Sequence, residues 1–239
     1  ETGTVKKGEE INLSFQNSGK IEKIYIKVGD AVTTRQNLAK ADTSQLIIQL
    51  AEAQASLEIA EAQKGDAQIS LENTERDLNN IKNKTEEDLN NAYEDALNAL
   101  DDAYLKIYNA FNVTHNIQKT YFSTPNEYGL KIGDEKYRIE NALKRIESLV
   151  NDTKNNPQRE NINSALSEAK ELLGKVSNAL KGIRDITENG IYREIVSSAD
   201  KTSLDTQKLN INTVLANVIN TKQNISTIKI TNTANINST

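Results

Sequence analysis

Apolar residues alternate with polar ones over one short stretch of the chain and recur at helical spacing over most of the remainder. Near the beginning, Ile24, Ile26 and Val28 alternate with more polar neighbours, which is the period-two pattern of a half-buried strand. Gly29 and Asp30 then interrupt the run with residues suited to a tight reversal. The pattern therefore predicts a small β region ahead of a long helical one.

A second strand is predicted from Ile11 to Phe15, because Ile11, Leu13 and Phe15 share one face. With the stretch that continues to Ala41, it predicts a few short strands that make half of a β-sandwich. Half a sandwich leaves apolar surface and strand edges unpaired, so this region is expected to need further strands. The remainder of the sequence has no second glycine-punctuated β pattern.

The first helix is predicted to begin near Asp42 or Thr43, either of which can cap free backbone N–H groups. The apolar residues that follow recur at heptad spacing and predict a seam for one partner helix. These residues are Leu46, Leu50, Ala53, Leu57, Ala60, Ala67, Leu71, Leu78 and Ile81. A broader and more aromatic stripe follows, as is typical of a helix that several others contact. Its members are Tyr93, Leu97, Leu100, Tyr104, Ile107 and Phe111.

The helical period is lost between Thr114 and Gly133, which predicts a loop containing Pro125. Three more helices are predicted: one from Asp134, one that stops at Asn189-Gly190, and one from about Asp200 that dissolves after Ile228. Their apolar faces are Ile139, Leu143, Ile146 and Val150; Ile162, Leu166, Ala169, Leu173, Val176, Leu180 and Ile183; and Leu204, Ile211, Val214, Val218, Ile225 and Ile228.

The predicted fold is mainly α: a long antiparallel coiled-coil hairpin with an inserted four-helix bundle, plus a small β half of a split barrel-sandwich. Residues 1–42 are assigned to the β half and residues 43–84 to the ascending coiled-coil helix. Residues 85–217 are assigned to the bundle at the hairpin tip, and residues 218–239 to the start of the descending helix. That last helix is too short to cover its partner, so the seam from Leu46 to Leu57 is expected to be unpaired.

The composition favours long helices over a large globular core. Of 239 residues, 36% are hydrophobic and 5% aromatic, and Cys, Met and Trp are absent. The lack of a starting Met is expected of a fragment or a processed product. The net charge of −5 is dispersed without a basic block, so nucleic acid is not predicted as a partner. No run of apolar residues reaches the length of a transmembrane helix.

Ser18 to Asp42 resembles the first half of a lipoyl-like domain. More narrowly, it resembles that half in the membrane fusion protein family, the periplasmic adaptors that include the HlyD-like secretion proteins. The positions that match the family pattern are Ser18, Gly19, Ile21, Ile24, Ile26, Gly29, Asp30, Val32, Gln36, Leu38, Ala39 and Asp42. One position departs, because Arg35 stands where the family usually has glycine.

This resemblance implies an extracytoplasmic adaptor subunit of an efflux or secretion system, located in the periplasm or cell envelope. Such a subunit is held to the membrane by an anchor that would lie outside this chain. It oligomerises beside an inner-membrane transporter, commonly an ABC permease and ATPase, and its helical hairpin extends the conduit. The second half of the lipoyl-like domain follows the hairpin in this family, and this chain is expected to stop before it.

Family members that dock an outer-membrane channel carry a spaced Arg, Leu and Ser set at the hairpin tip. Arg138, Arg145 and Arg159 lack the matching companions, so docking to such a channel is not predicted. Tyr121, Phe122, Pro125 and Tyr128 form an aromatic cluster in the predicted loop. They are interpreted as a cap on the end of the bundle, with a contact between Tyr121, Phe122, Tyr128 and a partner as the alternative.

No catalytic constellation is apparent, and no cofactor or metal site is predicted. A lipoyl or biotinyl carrier needs a lysine in the turn between the two sheet halves, whereas Lys40 precedes a helix and is interpreted as a solvated strand residue. His115 is the only histidine and has no companion ligands nearby. The acidic clusters at Glu86-Glu87-Asp88 and Asp101-Asp102 are interpreted as solvated faces, because adjacent carboxylates on a helix diverge.

Three hypotheses about function therefore stand. The first is a non-enzymatic transport adaptor. The second is an extracellular helical binding or adhesion module with no transport role, in which the β segment serves only as a base. The third is an acyl or biotin carrier, which requires a modified lysine.

Overall fold

The computed structural model describes residues 2–4, 8–124 and 126–238. Helix accounts for 77% of the described residues and strand for 3%, which confirms the prediction of a mainly α chain with long helices. The elements in order are β1 (Ile21–Ile24), β2 (Ala39–Ala41), α1 (Ser44–Tyr121), α2 (Glu127–Asn155), α3 (Arg159–Ile186), α4 (Tyr192–Ile195) and α5 (Ser198–Asn237). The chain divides into two compact units, Glu1–Asn73 and Thr74–Thr239.

In the first unit, β1 and β2 form a two-stranded antiparallel sheet with Ile21 opposite Ala41 and Ile24 opposite Ala39. The backbone N–H of Tyr25 extends the pairing by donating to Leu38 O at 2.9 Å. The prediction of several strands making half a sandwich is not confirmed, because the described residues contain only these two strands in one sheet.

The strand predicted from Ile11 to Phe15 is wrong. These residues are not in a strand, and Ile11 is 77% exposed. An alternating sequence becomes a strand only when a neighbouring strand supplies ladder hydrogen bonds, and no described strand lies beside this segment. For the same reason β1 ends at Ile24, although the alternation in the sequence continues to Val28.

The beginning of α1 agrees with the predicted cap. Asp42 Oδ1 accepts a hydrogen bond from the backbone N–H of Ser44 at 3.0 Å, and Thr43 O accepts from Ile47 N at 2.9 Å. From Ser44 to Asn73 every residue of the helix is exposed, with Leu50 at 59%. The seam expected to be unpaired is therefore exposed in this structure.

In the second unit, four helices surround one hydrophobic core: the part of α1 from Thr74 onward, α2, α3 and α5. The apolar face predicted for α3 is buried at every position, and most positions predicted for α2 and α5 are buried as well. On α1, Tyr93, Leu100 and Ile107 are buried, while alternate members of the predicted stripe pack partly buried against the same core. The helical period therefore identified the core-facing side of each helix.

The loop predicted from Thr114 to Gly133 is wrong at both ends. Helix α1 continues to Tyr121 and α2 already begins at Glu127, which leaves a short connection; Pro125 lies outside the described residues. Gly129 contributed to the prediction of a loop, but it lies in the first turn of α2. A Cβ at Gly129 would lie 2.5 Å from Thr124 O, so glycine is needed there for a close backbone approach.

Two further boundaries differ from the sequence prediction. Helix α3 ends at Ile186 with Thr187 as its C-cap, ahead of the predicted stop; Gly190 lies in the following turn with a φ of 51°. Helix α5 does not dissolve after Ile228 but continues to Asn237. The side-chain amide of Asn232 donates to Thr85 O at 2.8 Å, which ties this polar end of α5 to α1.

Candidate functional sites

The residues that match the adaptor pattern lie in the β1–β2 hairpin and its flanks. The connection between the two strands contains two tight turns. At the first turn, Asp30 N donates to Lys27 O at 3.1 Å, and Asp30 Oδ2 accepts from Lys27 N at 2.7 Å. Gly29 within this turn has a φ of 99°, a conformation that favours glycine. The Gly-Asp pair therefore makes the tight reversal that its sequence suggested.

The second turn runs from Thr33 to Gln36. Gln36 N donates to Thr33 O at 3.2 Å, and Gln36 Oε1 accepts from Thr33 N at 2.9 Å. Between them Arg35 has a φ of 69°, and it is the only described non-glycine residue with a positive φ. Arg35 stands where glycine is usual in the adaptor pattern, and the backbone there adopts the conformation for which glycine is suited.

The apolar members of the pattern do not meet in a core. Among the described residues Ile21, Ile24 and Val32 are exposed, with Ile24 at 63%. A hairpin of two short strands is marginally stable in water unless its apolar face is covered. The remaining pattern residues Gly19, Ile26, Gln36, Leu38 and Asp42 occupy the same hairpin and its flanks, and Leu38 is partly buried.

Lys40, the residue that a carrier protein would need to modify, pairs with Glu22 across the hairpin at 2.8 Å. The hydrogen bond and charge of Glu22 raise the pKa of Lys40. A raised pKa keeps the amine protonated and makes it a poorer nucleophile. The hydrogen bond from Ser44 lowers the pKa of Asp42, as suits a carboxylate at a helix N-terminus.

The aromatic cluster closes one end of the bundle. Phe122 is 3% exposed and stacks on Tyr192 with 4.3 Å between ring centroids, while Tyr128 meets the same ring edge-on at 5.4 Å. Tyr192 Oη accepts a hydrogen bond from Asn126 Nδ2 at 2.9 Å. Because Phe122 is buried, it forms the cap and not an exposed contact for a partner. Tyr121 and Tyr128 remain partly exposed.

Tyr192 is the central member of this cluster, and sequence reasoning missed it. It lies in α4, a single helical turn whose sequence has no usable period. The available signal was the single aromatic residue in the connection between α3 and α5. Isolated aromatic residues in connections are commonly anchored in the core.

The acidic clusters of α1 are partly paired across the bundle. Lys154 Nζ lies 2.8 Å from Asp101, and Arg159 bonds both Glu86 and Asn90. Asp88 and Asp95 line a groove between α1 and α5. The interpretation of these clusters as solvated faces holds only in part, because Asp101 and Glu86 make ion pairs with residues outside α1.

No group of three or more His, Cys, Asp or Glu side chains that could hold a metal ion occurs among the described residues. His115 is exposed, and its ring lies 5.9 Å from that of Phe111. None of the described helices is long and apolar enough to cross a membrane. Comparison of the chain with family models, with curated proteins and with solved structures finds no match.

Proposed function

We propose that this chain is part of an adaptor subunit of a membrane efflux or secretion system. In this proposal the protein oligomerises in the cell envelope next to an inner-membrane transporter of the ABC type and contributes to the conduit. Its role is assembly, without catalysis and without a cofactor. The β hairpin belongs to a split lipoyl-like domain, and α1 with α5 belongs to a coiled-coil hairpin that carries the helical bundle.

The proposal rests on the backbone conformation of two residues in the hairpin. Gly29 and Arg35 both have positive φ values, 99° and 69°, at two of the three positions where the adaptor pattern has glycine. Twelve positions of the sequence match the same pattern between Ser18 and Asp42. An accidental match in residue identity has no reason to reproduce the left-handed turn at the one position where the residue differs.

The way in which α1 begins also supports the proposal. Asp42 N donates to Lys20 O at 2.8 Å, and Asp42 Oδ1 accepts from Ser44 N at 3.0 Å. A single residue thus closes the hairpin and caps the helix. The chain passes from β2 into α1 with no turn in which a modified lysine could be presented, which argues against a carrier.

The exposed side chains of the hairpin indicate a surface that the assembled protein covers. Val28 and Val32 are exposed on the connection between β1 and β2, and Ile24 is exposed at the end of β1. Contiguous exposed apolar side chains mark contact surfaces in soluble proteins. In an adaptor they would be covered by the remaining strands of the lipoyl-like domain and by neighbouring subunits.

The test is the recovery of a transporter with the full-length protein from the membranes of the cells that produce it. We expect an oligomer that co-purifies with a permease and an ATPase. Ile24→Asp combined with Val32→Asp should abolish that recovery, whereas Leu130→Asp combined with Tyr137→Asp, at exposed positions of the bundle, should not. A monomer that recovers no transporter would count against the adaptor and favour the binding-module alternative.

A further inference from the structure

Helix α1 carries pairs of adjacent acidic residues that repeat every seven positions. The pairs are Glu87-Asp88, Glu94-Asp95 and Asp101-Asp102. No Lys or Arg occurs between residues 85 and 105. Residues seven apart lie on the same side of a helix about 10.5 Å from one another. The pairs therefore form one acidic ridge along the part of α1 that belongs to the bundle.

Parts of this ridge have no compensating charge within the chain. Asp88, Asp101 and Asp102 lie near Lys84, Lys154 and Lys106 respectively. Glu87, Glu94 and Asp95 are exposed and make no ion pair with any residue that the structure describes. The ridge thus offers unpaired carboxylates at the same seven-residue interval.

Helix α5 carries a complementary series. From residue 206 to residue 238 it contains Lys208, Lys222 and Lys229 and no acidic residue. These positions belong to the same heptad register, since they differ by 14 and by 7. Lys222 Nζ bonds Ser167 Oγ at 2.6 Å, and Lys229 lies over the ring of Tyr93 at 5.6 Å. No carboxylate among the described residues pairs with any of the three lysines.

Members of the two series line different grooves of the bundle. Asp88 and Asp95 line a groove together with Asn224 and other polar residues of α5. Lys222 and Lys229 line another groove, between α5 and α3. Lys222 and Lys229 therefore lie in a different groove from Asp88 and Asp95 of their own chain, and both lysines are exposed.

We propose that the acidic ridge of α1 docks against the lysine series of α5 in a second copy of this chain. The occupant is a second copy because one chain carries both surfaces, with opposite charge and with spacings that are multiples of about 10.5 Å. The inference rests on the self-association that the proposed function requires and identifies its surface. Because the ridge and the lysine series are different surfaces, the contact is heterologous and builds a closed ring or an open row of subunits.

The energetics make this association sensitive to salt. Single exposed ion pairs contribute little, typically about 0–1 kcal/mol, so the contact depends on several pairs engaged together. The Debye length falls from more than about 10 Å below 0.1 M salt to about 3 Å at 1 M. We therefore expect the association constant of the wild-type chain to fall at least about tenfold over that range.

Two charge-reversed variants test the surface by sedimentation velocity at low salt. In the ridge variant Glu87, Glu94 and Asp95 are replaced by Lys, and in the lysine variant Lys208, Lys222 and Lys229 are replaced by Glu. Each variant alone has two surfaces of the same sign and should be monomeric. An equimolar mixture restores opposite charges at every contact between unlike variants and should associate. Circular dichroism confirms that both variants keep their helices.

The matched control carries the same change of charge at exposed positions elsewhere. Glu147→Lys, Glu171→Lys and Glu194→Lys alter the net charge as the ridge variant does and should leave association unchanged. A wild-type chain that is monomeric at low salt, a ridge variant that still associates, or a mixture that stays monomeric would overturn the inference.

Measuring both transporter recovery and self-association, for the wild-type protein and the ridge variant, distinguishes this inference from the proposed function. A wild-type protein that recovers a transporter but does not self-associate through these residues contradicts the docking surface alone. A chain that associates as described but recovers no transporter contradicts the adaptor function and leaves the docking surface standing.

Discussion

Tyr121, the last residue of α1, donates its phenolic proton to Asp200 near the beginning of α5, with 2.6 Å between Oη and Oδ2. Ser197 Oγ donates to the same carboxylate oxygen at 2.6 Å, and Ser197 Oγ in turn accepts from Asp200 N. The N-cap of α5 is thereby tied to the end of a helix that lies far away in sequence. This contact holds the connection between α3 and α5 against the bundle.

Removing the phenolic hydroxyl should weaken this end of the bundle. Tyr121→Phe deletes one hydrogen bond to a charged group, which typically contributes about 1.5–3 kcal/mol, reduced here because Asp200 keeps its bond from Ser197. We expect the free energy of unfolding in urea to fall by about 1 kcal/mol. Tyr137→Phe is the control, since Tyr137 is 60% exposed. Equal midpoints for the two variants would contradict the structural role of the contact.

The same contact predicts a dependence of stability on pH. Hydrogen bonds from Ser197 and then Tyr121 lower the pKa of Asp200 in the folded chain, against a smaller opposing effect of burial. A carboxylate whose folded pKa lies below its unfolded value of about 3.9 stabilises the fold above that value and loses the effect as pH falls through the folded pKa. Asp200→Asn should therefore be less stable than wild type at neutral pH.

Below about pH 4 the stability difference between wild type and Asp200→Asn should narrow, because the carboxylate of the unfolded chain becomes protonated there while that of the folded chain stays charged. The contribution of the charge should be lost once the pH has fallen through the lower pKa of the folded chain. Urea unfolding at a series of pH values measures this difference directly. Asp134→Asn serves as the control for removal of a carboxylate elsewhere in the bundle. A difference for Asp200 that stays constant down to the lowest pH would show that its charge has no part in stabilising the fold.

The helical part of the fold could be predicted from the sequence because burying one face of a helix requires apolar residues at helical spacing. On α3, Leu166, Leu173 and Leu180 recur at seven-residue intervals, and all three are buried. A helix that presents one face to a core needs apolar residues at that spacing whatever its partners are. The sequence therefore predicted which side of each helix faces the core.

The β region and the aromatic cap could not be predicted to the same extent, because they depend on contacts between distant residues. Ile11 and Leu13 have the alternation of a strand but no described strand beside them. Tyr192 is fixed by Phe122 and Asn126, which are many residues away. The local sequence pattern shows neither that a strand lacks a partner nor that an aromatic ring packs across the bundle.

Gly129 shows that a glycine can lie inside a helix although glycine usually indicates a loop. Glycine in a sequence usually indicates a loop, yet Gly129 lies in the first turn of α2, where its N–H donates to the N-cap Asn126 at 2.8 Å. Gly129→Ala would place a Cβ 2.5 Å from Thr124 O. Overpacking of this kind costs about 1–3 kcal/mol, so we expect a lower free energy of unfolding.

Gly174 provides the matched control for Gly129. It lies in α3, and a Cβ added there meets nothing within 4 Å. Because alanine has a higher helix propensity, Gly174→Ala should raise the free energy of unfolding by about 0.5–1 kcal/mol. Opposite signs for these two Gly→Ala changes are the expected result. Stabilisation by both would show that Thr124 moves freely away from position 129.

Arg35 allows the hairpin to be tested by a change toward glycine. A side chain in the left-handed region costs roughly 1–2 kcal/mol, so Arg35→Gly should stabilise the turn from Thr33 to Gln36 in spite of glycine's greater freedom when unfolded. Amide hydrogen exchange in the whole chain is the measurement, with Tyr25 N–H as the reporter because it donates to Leu38 O. We expect its protection to increase about fivefold, as about 1 kcal/mol requires. Arg35→Ala keeps the Cβ and should leave the protection unchanged; a gain equal to that of glycine would instead assign the effect to the lost guanidinium.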